Sequence, residues 1–240
     1  MSRHGFCICK AAGFGWMGPR PLSRTCSIPM TICMMTDPLT RRTVLALGGA
    51  ALVTLATPPG AHATTLTQAR TLVDAVAAEL TAIVNSGGTT AQMIDRFEGV
   101  FDRLADMPVI ARSVLGPVAR TASAAQLARF TSAYRGYLAR KYGRTLFGGY
   151  SGGEIAVTGA ATSGTVHSVQ SVARMQRRSG GTERLDVVWQ VSSRSPEPRF
   201  FNMIIDGVNF FAIEREEVPA LLEVRRGDLD RLIADLPGLG

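Results

Sequence analysis

The hydrophobic pattern changes period near Gly148, and no other feature constrains the fold of this chain as strongly. From Thr65 to Tyr142 apolar residues recur every three or four positions, whereas beyond Gly148-Gly149 they alternate with polar ones. The first pattern gives helices with one apolar stripe, and the second gives strands with one apolar face. Helices gathered before strands predict an α+β domain, a helical N-terminal half packed on an antiparallel four-stranded sheet and closed by C-terminal helices.

The helical half divides at its turn residues. Thr65–Val84 places Leu72, Val73, Val76, Leu80 and Ile83 on one side and stops at Asn85-Ser86-Gly87-Gly88. Thr89 or Thr90 caps a second helix to about Ala105, and Pro108 suits the first turn of a third, Pro108–Leu115, which Gly116-Pro117 terminates. Ser123 caps Ala124–Tyr142, whose stripe is Leu127, Phe130, Tyr134, Tyr137, Leu138 and Tyr142. That stripe has two readings. It is a core face, or, because each buried tyrosine hydroxyl wants a partner, the rim of a pocket with apolar depth and a polar mouth.

Four strands are expected at Glu154–Ala160, Thr165–Arg177, Arg184–Ser193 and Arg199–Asp206, joined by turns too short for anything but antiparallel neighbours. Leu185, Val187, Trp189 and Val191 share the core side of the third. One face of the second carries His167, Val169, Ser171, Ala173 and Met175, mostly small, which leaves space beneath a covering helix. Asp206-Gly207 turns the chain into Val208–Phe211, and helical segments about Glu214–Leu222 and Asp228–Leu236 close it.

Residues 1–63 read as an N-terminal extension and a cleavable export signal, the signal proper spanning about 36–63. Arg41-Arg42, an uncharged run and the small-x-small tripeptide Ala61-His62-Ala63 are its three parts. Val44–Thr57 is short for a bilayer core of about 30 Å, so the run reads as removable and not as an anchor. The paired arginines suggest the twin-arginine route, with general secretion as the alternative. Cleavage after Ala63 leaves 64–240 as a single domain. All four cysteines (Cys7, Cys9, Cys26, Cys33) go with the discarded part, which removes disulfides and thiol chemistry. So do Arg3, Lys10, Arg20, Arg24, Arg41 and Arg42 against the single acid Asp37, taking five charges from the net +7. The remainder is nearly neutral and has no nucleic-acid signature.

Groups that look chemical lack their partners. Gly149-Tyr150-Ser151-Gly152-Gly153 matches the nucleophile-elbow pattern, yet it leads into a strand instead of a helix and reads as a flexible loop. His167 alone does not make a metal site. Glu214, Glu216 and Glu217 read as a helix start whose dipole they complement, and Arg177-Arg178 as a solvated hairpin end or a contact for lipid headgroups or an acidic partner. No catalytic residue, cofactor or metal is expected.

Pro108-Val-Ile-Ala-Arg-Ser-Val-Leu-Gly116, then Gln126, Phe130, Tyr134 and Tyr142, then Phe201-Asn-Met-Ile-Ile-Asp-Gly-Val-Asn209 with Arg215, resemble the MlaC or toluene-tolerance auxiliary family of periplasmic phospholipid-binding proteins. The likeness covers nearly all of Thr64–Gly240 in order and spacing. Asn202 and Asn209 stand where the family usually has aspartate and serine. The resemblance implies a nuclear-transport-factor-like fold with a curved sheet and phospholipid tails between helices and sheet. It further implies shuttling between an outer-membrane lipoprotein complex and an inner-membrane ABC transporter with a lipid-binding ring. On that basis Leu115, Phe130, Tyr134, Tyr137, Val169, Ala173, Met203 and Ile205 are the expected lipid-lining residues, each of which is also an ordinary core position. The alternatives are a non-lipid periplasmic adaptor and a small serine hydrolase relying on Ser151.

Overall fold

The computed structural model describes residues 63–240, so the expected export signal and N-terminal extension lie outside the described residues. Helices α1 (Leu66–Val84), α2 (Thr90–Leu104), α3 (Met107–Leu115) and α4 (Ala124–Gly149) come first. A meander of β1 (Tyr150–Ser163), β2 (Val166–Arg177), β3 (Thr182–Ser192), β4 (Phe200–Ile205) and β5 (Val208–Asn209) follows, then α5 (Phe210–Val224) and α6 (Leu229–Asp235). The sheet is antiparallel throughout in the order β1-β2-β3-β4-β5. The α+β architecture is the expected one, with five strands where four were expected. The fifth is two residues long and is created by the Asp206-Gly207 turn, whose residues both hold positive φ (47° and 81°) as a tight hairpin requires.

Local chemistry sets the helix starts. Thr65, Thr89 and Ser123 each accept a hydrogen bond from the backbone N–H three residues on, and Gln68, Gln92 and Gln126 reach back to the cap. The threefold repetition of this capping box makes α1, α2 and α4 begin where the sequence places them.

Three elements differ markedly from expectation in their bounds, the first being β1, which spans Tyr150–Ser163 where Glu154–Ala160 was expected. Helix α4 runs seven residues past Tyr142 to Gly149 and passes into β1 without a loop. Phe147 explains the extension. It is fully buried, edge-on to Phe97 with ring centroids 5.7 Å apart. Burying a phenylalanine contributes about 1.5–3 kcal/mol, against roughly 0.5–1 kcal/mol lost per helical glycine. Gly143 assists, because a Cβ there would lie 2.9 Å from Ile94 Cγ1 and hold α2 away from α4. The remaining difference is α5, which starts at Phe210 in place of Glu214, so that of Val208–Phe211 only Val208–Asn209 pairs as a strand.

The core lies between helices and sheet. A chain of aromatic contacts crosses it, from Phe97 to Phe101 (4.8 Å), Phe101 to Phe200 (6.2 Å) and Phe200 to Trp189 (5.3 Å). Val187, Trp189 and Val191 are buried on one face of β3, as the alternation requires. Trp189 donates its indole N–H to Ser171 Oγ at 2.9 Å. No described helix is long and apolar enough to cross a membrane.

Candidate functional site

Helices α3, α4 and α5 and strand β4 meet around a small cavity of about 50 Å³. Phe101, Ile110, Leu138, Phe200 and Met203 give it an apolar lining, and Phe210 and Phe211 add the first turn of α5. Besides Phe201, the rest of its wall is polar, made of Tyr134, Tyr142, Asn202 and Glu214. Tyr134 donates to Glu214 Oε2 at 2.8 Å, and both Tyr142 (2.5 Å) and Lys141 (2.6 Å) donate to Glu214 Oε1. Lys141 also pairs with Glu217, which accepts from the Tyr137 hydroxyl at 2.7 Å. The Lys141 ammonium lies 5.5 Å and 5.2 Å from the ring centres of Tyr137 and Tyr142.

Glu214 is the centre of this arrangement, its side chain only 4% exposed. A carboxylate so far from water is tolerable because three donors, one of them the Lys141 cation, satisfy it. Burial, then the neighbouring Glu214, pushes the Tyr134 hydroxyl far above its ordinary range, so it remains a donor at any physiological pH. Burial also opposes the charge on Lys141, but its bonds to Glu214 and Glu217 outweigh that and raise its pKa. At Glu217 burial is likewise overcome by Lys141 and Tyr137, which lower the pKa. The cluster joins two helices. Every donor is on α4 and both acceptors are on α5.

The N-terminus of α5 is fixed separately. Asn202 Oδ1 accepts from the Met203 N–H (2.7 Å) and the Phe211 N–H (3.2 Å), while Asn209 caps the helix by accepting from Ala212 N–H (3.1 Å). Both jobs need only an acceptor oxygen, which aspartate and serine also supply.

Of the residues expected to line a pocket, Tyr134 and Met203 stand on the cavity wall. Phe130 and Tyr137 lie beside them, stacked on Tyr134 at 5.2 Å and 5.7 Å. Val169 and Ala173 are buried on β2 and do not stand on the wall of this cavity. Val169 opposes Trp189, which opposes Met203, so it belongs to a row that reaches the cavity only at its far end. Leu115 is buried at the end of α3 and Ile205 partly buried at the end of β4, neither on the cavity wall.

Sequence reasoning missed Glu214 and the Phe210-Phe211 pair. It placed Glu214 and Glu217 at a helix start, but α5 begins four residues before Glu214, and the carboxylates face α4 in its second turn. The available signal was Lys141, a cation between Tyr137 and Tyr142 on an otherwise apolar stripe.

Ser151 is the second residue of β1 and not part of a loop. The element before it is a helix and the element it opens is a strand, the reverse of a nucleophile elbow. Its hydroxyl donates to Gln176 O at 3.4 Å. His167 pairs with Thr162 at the other end of the β1–β2 ladder, roughly 30 Å away at strand spacing. Its Nε2 bonds Thr64 O and its Nδ1 bonds Thr162 Oγ1, both at 2.8 Å. Arg177 pairs with Glu183 (2.6 Å) and Arg178 donates to Phe147 O (3.2 Å), which fixes the hairpin end. Among the described residues no group of three or more His, Cys, Asp or Glu is placed to hold a metal ion.

The family model described as MlaC protein matches residues 70–237, most of the chain and the whole helix-and-sheet unit around the cavity. This chain belongs to the MlaC family. A solved structure agrees in fold. The phospholipid-binding protein from Ralstonia solanacearum, determined in complex with a phospholipid, aligns with a TM-score of 0.56 over 70% of this chain and 98% of its own. Their sequence identity is 15%, so the likeness is one of fold. No curated protein matches the chain. Within the MlaC family frame, the Glu214 cluster bridges the last long helix and the helix that precedes the sheet.

Proposed function

We propose that this MlaC-family domain binds a phospholipid and carries it through the periplasm, between an outer-membrane lipoprotein complex and an inner-membrane ABC transporter. The observation that carries the reading is the cavity between helices and sheet, apolar except for Asn202 and the Tyr134–Tyr142–Glu214 wall. Membership of the family and a fold shared with a protein solved with phospholipid support it.

The energetics state what carriage demands. Two acyl chains with about thirty methylenes lose on the order of 24 kcal/mol on leaving a bilayer, at roughly 0.8 kcal/mol each. Only a site enclosing most of both tails compensates, and a cavity that admits one benzene ring already measures about 150 Å³. At about 50 Å³ the cavity is too small for an acyl chain as it stands, and loading requires its walls to part. Unbranched or aromatic side chains such as Met203, Phe210 and Phe211 swing aside with little rearrangement of the backbone. The Glu214 cluster lies on the wall shared by α4 and α5, which makes that seam the one whose separation widens the cavity.

The small cavity also favours a second reading, a periplasmic adaptor with the same fold and no lipid. Native mass spectrometry of gently purified protein separates the two. Two-chain lipids at about one per protein support carriage, whereas a stable, empty domain that takes up no lipid from vesicles supports the adaptor.

A further inference from the structure

We propose that the groove between α3 and the start of α4 is a docking site for an acidic segment of a partner protein. Gly116 creates it. Its backbone angles (φ 57°, ψ −127°) are open to glycine and strained for other residues, and they bend the chain out of α3 into the 3-10 turn Gly116–Arg120. The inside of that bend is an open concavity of about 530 Å³. Arg112 and Arg120 stand on its walls with Ser113 and Leu127, over a floor of alanines.

Among the described residues the charges in this groove have no partner. Arg129 pairs with Asp230 (2.5 Å), Arg135 with Glu98 (3.1 Å) and Arg225 with Asp235 (2.8 Å), and Arg140 donates to Leu236 O (2.8 Å). Arg112 and Arg120 are exposed and make no side-chain hydrogen bond or ion pair among the described residues, and no carboxylate lines the groove. Two free guanidinium forks complement carboxylates, which they bind in bidentate fashion. Val109, 45% exposed, lies one turn before Arg112 and adds an apolar step to the same helix face. An apolar step beside arginines set in a concavity fits a segment that alternates acidic and apolar side chains. A lipid surface, which is flat, meets convex basic surfaces better. The groove shares no lining residue with the cavity, so docking there leaves the lipid site free and its test does not depend on lipid carriage.

The test uses the full chain and a fluorescent peptide of alternating glutamate and leucine, read by anisotropy. Vesicles containing phosphatidylglycerol serve as the competing probe. The double variant Arg112→Glu/Arg120→Glu changes two exposed, unpaired side chains, so its melting temperature and lipid content should match those of the parent. It is expected to bind the peptide about tenfold more weakly, the size of two surface charge pairs turned to repulsions. A peptide carrying arginine in place of glutamate should then prefer the variant. Equal peptide binding by parent and variant, or no binding by the parent, overturns the proposal. Arginine-dependent binding to the vesicles that exceeds binding to the peptide also overturns it, by assigning the groove to the membrane.

Discussion

Lys141 places its ammonium between two carboxylates on α5, and without it Glu214 keeps only hydroxyl donors. Lys141→Met should therefore cost about 3 kcal/mol, the usual consequence of stranding one member of a buried pair. Adding Glu214→Gln to the same chain should return part of that loss. Urea unfolding of the two single variants and the double variant measures the coupling, and additive losses would show that the pair is not coupled. Asn202 makes a finer point about side-chain chemistry. It is buried, accepts from two backbone N–H groups and donates from Nδ2 to Gln190 Oε1 at 2.9 Å. Asn202→Asp keeps the acceptor while the Gln190 amide turns its N–H to the new carboxylate, so it should cost about 1 kcal/mol. Asn202→Ala leaves those N–H groups unmet and should cost about 2 kcal/mol. If both substitutions cost the same in urea unfolding, the acceptor role assigned to Oδ1 is wrong.

At the scale of elements, the proposed function makes the seam between α4 and α5 the place where the cavity widens. Tyr142 and Phe210 face each other across it, edge to face with ring centroids 4.9 Å apart. A short thiol crosslink between Tyr142→Cys and Phe210→Cys should stop uptake of a fluorescent phospholipid from vesicles, and cleaving the linker should restore it. Uptake that continues at full rate in the crosslinked protein would place the opening elsewhere. The types and order of these elements were legible, because period, caps and turns act over a few residues. Their lengths were less so. Gly148 and Gly149 read locally as a helix stop, and only the burial of Phe147 against Phe97 shows why α4 continues. Likewise Phe210 and Phe211 sit in a short apolar run that suits a strand, until Asn209 caps it as a helix.

For the whole molecule, the tyrosine–carboxylate cluster sets the response to alkali. In the unfolded chain Tyr134 titrates near pH 10, whereas in the fold burial and Glu214 keep it protonated far higher. Its contribution to stability is complete below about pH 10 and is lost as pH rises above it, at about 1.4 kcal/mol per pH unit. The raised pKa of Lys141 acts in the same direction, since the folded form holds its proton longer. Glu217 acts at the other end. Its lowered pKa makes its contribution fade as pH falls below about 4. Melting temperature should thus fall steeply between pH 10 and about 11, and less steeply in Tyr134→Phe; parallel curves would remove Tyr134 from the account.

The sequence by itself determined the α+β class, the order of helices and strands, the inward faces of β2 and β3 and the family, because each is written in neighbouring residues. The tyrosine stripe of α4 was visible too, but not whether it was core or pocket rim. Tertiary structure decided that by bringing Glu214 eighty residues along the chain to Tyr134. It also placed Phe200, Phe210 and Phe211 around the cavity, with Val169 and Ala173 buried off its wall. The physical reason is that a residue's partners depend on how separate elements pack. Periodicity shows which face of an element turns inward but not what that face meets.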